Sequence, residues 1–170
     1  MAIQIITTGG TFDKVYFDAL SEFSIGEPQA ANILQQAKVN CRYQLTSLLK
    51  KDSLELTEAD RALLSQTIEQ SNAQQIVIIH GTDTMALSAD YLNQARTAYP
   101  DKTIVLTGAM QPALMQYSDA PFNLGFALGA AQCLAAGIYI AMNGQIFAAG
   151  AVQKNRAAQC FEALEHLTPC

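Results

Sequence analysis

The chain has 170 residues and a mass of 18.3 kDa, which suits one domain and leaves no room for two domains of ordinary size. Half of the residues are hydrophobic and only 15% are charged, so the chain can fill a core and is not expected to be mainly disordered. The net charge of −5 and the pI near 4.8 argue against nucleic-acid binding, which requires a basic surface.

Cysteine and histidine are too few and too scattered to indicate a metal site. Cys41, Cys133, Cys160 and Cys170 form no C-x-x-C pair, and the chain has only two histidines, so we expect neither zinc nor haem. The N-terminus lacks the basic segment and long apolar segment of a signal peptide. We therefore expect a cytoplasmic protein with small, buried, reduced cysteines.

The predicted elements alternate between strands and helices. The first half has a strand over 3–6, a long loop over 12–25, a helix from 28 to about 39, a strand over 41–49 and a helix from a Thr57 cap to about 72. The second half has a strand over 76–79, a helix to about 96, a strand over 103–107, a helix to about 136 with Gly137 as its C-cap, and a strand over 138–142. This order predicts an α/β fold with a doubly wound, mostly parallel sheet and helices on both faces.

The stretch from 124 to 142 is long and apolar enough to raise the question of a membrane span. It contains Gln132 as its only strongly polar residue, no basic anchors flank it, and Asp119 lies close to one end. We therefore interpret it as a buried helix followed by a buried strand, and we expect no membrane association.

Polar motifs follow four of the predicted strands. The motif after the first strand is TTGGT, after the second KKDS, after the third HGTDT and after the fourth TGAM. Because ligands bind at the carboxyl ends of the strands in such folds, this coincidence predicts a small-molecule site.

The glycine pair in Thr8-Gly9-Gly10-Thr11 allows backbone N–H groups to converge on a ligand. The motif matches neither the dinucleotide fingerprint nor the ATP-binding P-loop, so no nucleotide cofactor is indicated. An ordinary strand-to-helix turn with a threonine cap is the alternative interpretation of this loop.

The polar side chains of the HGTDT motif can each have a structural or a functional role. His80 continues a buried strand and is expected to be a core histidine, while His166 is expected on a solvent-facing helix, so a Ser-His-Asp triad is not indicated. Asp83 fits either a helix cap or a counter-ion for a substrate ammonium group. Thr82 is a candidate nucleophile if a base lies near it, and Lys154 is either that partly desolvated base or a surface lysine.

Five segments together resemble a known family. In this order and spacing, TTGGTF, IVIIHGTDTM, VLTGAMQP, SDAPFNL and IAMNGQIFAAGAVQKN are similar to the N-terminal domain of bacterial-type L-asparaginases and glutaminase-asparaginases, from Ile3 to about Phe161. The resemblance implies an amidohydrolase that releases ammonia from L-asparagine or a related amide through a threonine nucleophile. It implies no metal or organic cofactor.

The resemblance also implies roles for individual residues. Thr8 matches the family's usual nucleophile, and Thr82, Asp83 and Lys154 match a triad-like group implicated in proton transfer and nucleophile activation. Ser53 matches the residue that holds the substrate α-carboxylate.

The resemblance also implies roles for backbone groups in contacting the substrate. Ala109 matches a position whose carbonyl faces the substrate amide. The N–H groups of the Gly9-Gly10 turn and of Thr82 are expected to stabilise the oxyanion.

Two segments depart from the family pattern. Phe12 and Asp13 stand where the family has small residues, and we expect them to add bulk and charge beside the nucleophile. Phe23 aligns with the family's tyrosine near the nucleophile, with Tyr16 as the alternative for that role; a phenylalanine cannot relay a proton.

Length is the largest departure. Family members are about twice as long, and a C-terminal domain of a neighbouring subunit completes their active site. We expect residues 1–170 to form a single catalytic domain that self-associates into a dimer or tetramer, covering apolar surface. The alternatives are a non-catalytic amino-acid-binding module and a hydrolase of another small amide such as glutamine.

Overall fold

The structure is a computed structural model that describes residues 2–17 and 22–164, where ten strands and four α-helices form. The strands are β1 Ile3–Gly9, β2 Lys14–Phe17, β3 Glu22–Ile25, β4 Tyr43–Lys51, β5 Gln75–Ile79, β6 Thr103–Thr107, β7 Gly137–Met142, β8 Gln145–Ala148, β9 Val152–Asn155 and β10 Cys160–Ala163. The helices are α1 Ala30–Gln36, α2 Glu58–Gln70, α3 Met85–Gln94 and α4 Ala120–Cys133.

Six of the strands form the main sheet, in the order β4-β1-β5-β6-β7-β8. All neighbours pair in parallel except β8, which pairs antiparallel with β7 at the edge. The predicted α/β fold with a mostly parallel sheet is therefore confirmed. After β1 the chain adds β4 on one side and then returns to add β5 on the other, so the strand order reverses between β1 and β5. Such a reversal opens a crevice at the carboxyl ends of the strands.

The core has two layers, one on each face of the sheet. The uninterrupted β-branched run of β5 is buried on both faces, as expected of a central parallel strand. Its residues Ile76 and Ile78 pack with α2 and α3, whereas Val77 and Ile79 pack with α1 and α4. Helices therefore cover both faces, as predicted.

Helix α2 begins where the sequence predicts it. Thr57 is its N-cap, and a reciprocal capping box joins Thr57 to Asp60 through the backbone N–H and side-chain oxygen of each residue. The helix ends at Gln70, close to the predicted end.

The predicted end of α4 is wrong. The helix ends at Cys133 with Leu134 as its C-cap, and Gly137 is instead the first residue of β7. A Cβ atom on Gly137 would lie 2.8 Å from the Tyr139 hydroxyl, so the glycine leaves room for that ring. No helix among the described residues is long and apolar enough to cross a membrane.

The predicted long loop over 12–25 is also wrong. A short 3-10 turn at Thr11–Asp13 leads into an antiparallel hairpin of β2 and β3, although residues 18–21 lie outside the described residues. Tyr16 pairs with Phe23 across the hairpin, and the two rings meet edge to face with centroids 5.4 Å apart. Helix α1 is also shorter than predicted and has Gln29 as its N-cap.

Candidate active site

The crevice at the strand reversal brings three sequence motifs into direct contact. Gly10 has a φ of +79°, and a Cβ atom there would lie 2.4 Å from the Cα of Gly81. A Cβ atom on Gly81 would in turn lie 2.6 Å from the Cβ of Ser53. The TTGGT, KKDS and HGTDT motifs therefore meet at one point, and only glycine fits at their two closest approaches.

Lys154 on β9 closes the other side of the HGTDT turn. Its Nζ donates hydrogen bonds to Thr82 Oγ1 at 2.7 Å and to Asp83 Oδ1 at 2.9 Å. The Lys154 side chain is only 16% exposed, so its amine does not extend into solvent as that of a surface lysine would. The lysine and the two HGTDT side chains lie more than 70 residues apart in the chain, and the fold places them within hydrogen-bond distance.

Asp83 is therefore not a helix cap. Thr84 occupies the N-cap position of α3, and the Asp83 carboxylate instead accepts from Lys154. Arg156 lies on the same carboxylate oxygen with its Nε at 3.4 Å, although most of this arginine is exposed.

Thr8 lies at the end of β1 and is only 1% exposed. Its hydroxyl donates to the backbone carbonyl of Ile79 on the neighbouring strand, at 3.1 Å. In this arrangement the Thr8 proton is held by the sheet, while the lone pairs of Oγ1 remain available.

Ser53 is buried at the carboxyl end of β4, in a short 3-10 turn. Asp52 caps this turn, and Lys14 from the hairpin pairs with the Asp52 carboxylate at 2.8 Å. The Thr84 hydroxyl donates to the Ser53 carbonyl at 2.7 Å, which ties the turn to the HGTDT motif.

Ala109 follows β6 and is buried, and the adjacent Gly108 lies against the HGTDT motif. A Cβ atom on Gly108 would lie 2.3 Å from the His80 carbonyl oxygen and 3.4 Å from Thr82 Cγ2. The fourth strand-end motif therefore reaches the same crevice as the other three.

The expected set of oxyanion donors needs a correction. The Gly10 N–H donates to the Lys51 carbonyl at 2.9 Å, so it is already engaged. Within residues 2–17 and 22–164, the Thr82 N–H has no acceptor and stays available.

His80 is a buried histidine with both ring nitrogens hydrogen-bonded, as predicted. Its Nδ1 lies 2.7 Å from the Gly81 carbonyl, which can only accept, so Nδ1 carries the proton. Its Nε2 then accepts from the Ser88 hydroxyl at 2.8 Å, and Ser88 accepts from Arg61. Burial lowers the pKa of His80 to about 4, which keeps the ring neutral at physiological pH. His166 lies outside the described residues.

The side chains that depart from the family pattern lie either in the core or on the surface of the hairpin. Phe12 is fully buried in the core layer beneath α1 and α4, so its bulk fills the interior. The Asp13 carboxylate is buried as well and accepts the Gln29 N–H at 2.9 Å, at the start of α1. Both side chains therefore lie in the interior of the protein, and the Asp13 carboxylate binds the start of α1. Tyr16 and Phe23 are about half exposed on the hairpin.

The cysteines are only partly as expected. Cys41, Cys133 and Cys160 are free thiols, but Cys133 is exposed and the other two are half-buried, and Cys170 lies outside the described residues. In the part of the chain that the structure describes, no three His, Cys, Asp or Glu side chains cluster as a metal site would require.

Three polar residues beside the site escaped residue-by-residue sequence reasoning. Asp119 and Asn123 bind the backbone of the turn after β6, and Arg156 contacts Asp83. A detectable signal existed for one of them, because Asn123 and Gln132 are the two strongly polar residues in the otherwise apolar sequence of α4. Arg156 gives no such signal, since its contact depends on the bend after β9.

The chain is similar to known proteins over most of its length. Residues 2–168 match a family model described as the N-terminal part of asparaginase. A probable periplasmic L-asparaginase of Haemophilus influenzae is 38% identical, with 95% of this chain and 49% of that protein covered. A glutaminase-asparaginase of Acinetobacter glutaminasificans is 30% identical, with 89% of this chain and 49% of that protein covered.

A solved structure is similar as well. The thermostable L-asparaginase from Thermococcus kodakarensis superposes with a TM-score of 0.86 at 28% identity, over 98% of this chain and 52% of that one. The chain spans about half the length of the curated relatives it matches.

Proposed function

Because this chain belongs to the asparaginase family, we propose that it is an amidohydrolase that releases ammonia from the side-chain amide of L-asparagine or a related amide. One observation supports this proposal above the others: Lys154 donates to both Thr82 and Asp83 at the point where four strand-end motifs meet. A mainly buried lysine beside a hydroxyl and a carboxylate is suited to activate a nucleophile and to carry a proton to a leaving group.

In the proposed reaction, Thr8 Oγ1 attacks the amide carbon while its proton passes to a base in the crevice. The C–N bond then breaks, the amide nitrogen takes up a proton, and ammonia leaves an ester on Thr8. Water attacks this ester, releases aspartate and restores the hydroxyl. The Thr82 N–H stabilises the oxyanion, and Lys154 with Thr82 and Asp83 moves the protons.

Thr82 is a second candidate for the nucleophile, and a specific contact supports it. Its hydroxyl is within 2.7 Å of Lys154 Nζ, whereas the Thr8 hydroxyl donates to the sheet at Ile79. Activation of Thr8 requires that hydrogen bond to break, while Thr82 already contacts its base. Trapping of the acyl-enzyme and mass mapping of the modified threonine distinguish the two.

The family resemblance also supports a proposal for the substrate contacts. We assign the substrate α-carboxylate to the Ser53 turn, the α-ammonium group to Asp83, and the amide group to the Ala109 carbonyl. We assign backbone contacts with the substrate to Gly9 and Gly10, where a Cβ atom would lie 2.7 Å from the Lys51 backbone and 2.4 Å from the Gly81 backbone, respectively.

The decisive experiment measures ammonia release from L-asparagine, L-glutamine and D-asparagine by the purified protein and by its variants Thr8→Ala, Thr82→Ala and Lys154→Met. We expect Lys154→Met to lower kcat by roughly 100-fold or more, as the loss of a general acid–base group does. Lys38→Met is the matched control, because Lys38 lies in the turn after α1, away from the site.

A non-catalytic amino-acid-binding module is the alternative function. If none of the three amides releases ammonia but L-aspartate raises the melting temperature, the fold binds an amino acid without turning it over. Full activity in Thr8→Ala or Lys154→Met would remove that residue from the mechanism.

We further propose that the domain over residues 1–170 acts as a homo-oligomer. Large apolar side chains are exposed on the segment that leads into and begins α4: Leu114, Met115, Tyr117 and Phe122. Such surface is stabilised by contact with another copy. Sedimentation at micromolar concentration tests this, and a single 18.3 kDa species would contradict it.

We also propose a cytoplasmic location, which the free thiols of Cys41, Cys133 and Cys160 support. Cell fractionation tests this directly, and recovery of the protein with a periplasmic marker would contradict it.

A further inference from the structure

The turn that follows β6, Gly108–Ala109–Met110, is held by two polar side chains of the α4 N-terminus. The Asp119 carboxylate accepts from the Met110 N–H at 3.0 Å and from the Gln111 N–H at 3.1 Å. It also accepts from Asn123 Nδ2 at 2.9 Å. Hydrogen bonds to an ionised carboxylate are about twice as strong as neutral ones, so Asp119 sets the path of the backbone after Ala109.

Asn123 holds the same turn from the other side. It is fully buried, and its Nδ2 donates to the Gly108 carbonyl at 3.0 Å. Its Oδ1 accepts the N–H of Asn143, a residue in the turn between β7 and β8, at 3.0 Å. One side chain therefore joins the end of β6, the start of α4 and the end of β7 with all of its polar atoms satisfied.

These contacts leave the atom between them free. Within the described residues, no donor reaches the Ala109 carbonyl, whereas the neighbouring groups at Gly108 and Met110 are both bound. A carbonyl whose two neighbours are fixed and which itself has no partner is oriented in advance to accept a hydrogen bond from a ligand.

We propose that Asp119 and Asn123 are positioning residues that aim the Ala109 carbonyl at the –NH₂ group of the substrate amide. The inference rests on the proposed amidohydrolase function and assigns to this turn the recognition of amides against esters. An ester has no N–H to donate, so it gains nothing from this carbonyl. The turn therefore favours the amide substrate over an ester of the same size.

The test compares L-asparagine with the β-methyl ester of L-aspartate, with ammonia and methanol release as the two readouts. In Asp119→Ala we expect kcat/KM for the amide to fall about tenfold, as the loss of one oriented hydrogen bond predicts, while the value for the ester stays within about threefold. Asp119→Asn keeps an oxygen that accepts from the Met110 and Gln111 N–H groups, so it should restore most of the amide preference.

Asp101→Ala is the matched control, because it removes the same charge from the turn before β6, at the opposite end of that strand from Ala109. Its amide-to-ester ratio should equal that of the wild type. Asn123→Leu tests the second residue, with its melting temperature measured alongside because the side chain is buried.

Equal losses on amide and ester in Asp119→Ala would show a structural role only and overturn the proposal, as would no loss on either substrate. Wild-type protein that hydrolyses the ester but not the amide would also overturn it. Wild-type protein that hydrolyses neither would overturn the proposed function itself, and this inference with it.

Discussion

Thr7 is fully buried on β1, yet its hydroxyl has no hydrogen-bond partner among the described residues. The loss of water without compensation costs a hydroxyl roughly 1–3 kcal/mol. Thr7→Val keeps the shape and removes this cost, so we expect the free energy of unfolding in urea to rise by about 1 kcal/mol or more. The matched control is Thr8→Val, which removes a hydroxyl bonded to Ile79 and should lower that free energy. A lower value for Thr7→Val would show that its hydroxyl is satisfied.

Asp13 makes stability depend on pH in an unusual direction. Burial raises its pKa from 3.8 to about 6, against the Gln29 hydrogen bond and the positive charge of Lys50. The folded protein therefore binds more protons than the unfolded chain between these two values, and this contribution to stability falls as the pH rises through that window. A shift of this size corresponds to about 3 kcal/mol.

Asp13→Asn tests this prediction, because the amide oxygen still accepts the Gln29 N–H but carries no charge. We expect the free energy of unfolding of the variant to rise relative to that of the wild type as the pH increases from 4 to 7. The comparison with the wild type is needed because His80 has the opposite pH dependence. Buried, neutral His80 lowers the stability of the fold as the pH falls from 6.5 to about 4, and this effect is the same in both proteins. A difference that stays constant with pH would contradict the raised pKa.

At the scale of a single element, α2 depends on its N-terminal capping box. Thr57→Ala removes the acceptor for the Asp60 N–H and should lower the free energy of unfolding by about 1 kcal/mol. Thr67→Ala on the same helix is the control: its exposed hydroxyl only bonds back to the Leu63 carbonyl, and alanine has the better helix propensity. Urea unfolding of both variants should separate them, and equal effects would argue that the cap contributes nothing.

The hairpin of β2 and β3 could not be predicted from the sequence, which indicated a loop over this stretch. The stretch over 12–25 has no hydrophobic period, because Phe12 and Asp13 point into the core while Tyr16 and Phe23 pair on the surface. A two-stranded hairpin with this mixture of burial leaves no alternating pattern for sequence analysis to detect. Its position is set by tertiary contacts, such as the ion pair between Lys14 and Asp52.

At the scale of the whole molecule, the exposed apolar segment that includes Tyr117 and Phe122 bears on assembly. Tyr117 is 84% exposed, and the Phe122 ring stacks on that of Phe126. Phe122→Asp places a charge in this surface, so we expect the variant to sediment as a monomer at concentrations where the wild type associates. Leu87→Asp, on an exposed position of α3, is the control and should leave association unchanged. Identical sedimentation of Phe122→Asp and the wild type would locate the interface elsewhere.

Three features of the fold could be predicted from the sequence alone: the alternation of strands and helices, the parallel core strands, and the edge of the sheet at which the polar motifs lie. These features are local: a β-branched run specifies a buried strand, Thr57 specifies a helix start, and strand ends in such a fold point to one edge. The resemblance to the asparaginases then selected Thr8, Ser53 and Ala109 from the motifs at that edge.

Which of those groups come into contact depends on the packing of distant elements and could not be predicted from the sequence. Lys154 reaches Thr82 and Asp83 because β9 packs against α3, the helix that follows the HGTDT motif, and no local pattern encodes that packing. The same holds for Asp119 and Asn123, whose partners lie in other elements, and for Gly10, whose N–H the neighbouring strand already binds. Side-chain chemistry can be read from the chain, but hydrogen bonds between distant residues form only after packing brings the two atoms within about 3 Å.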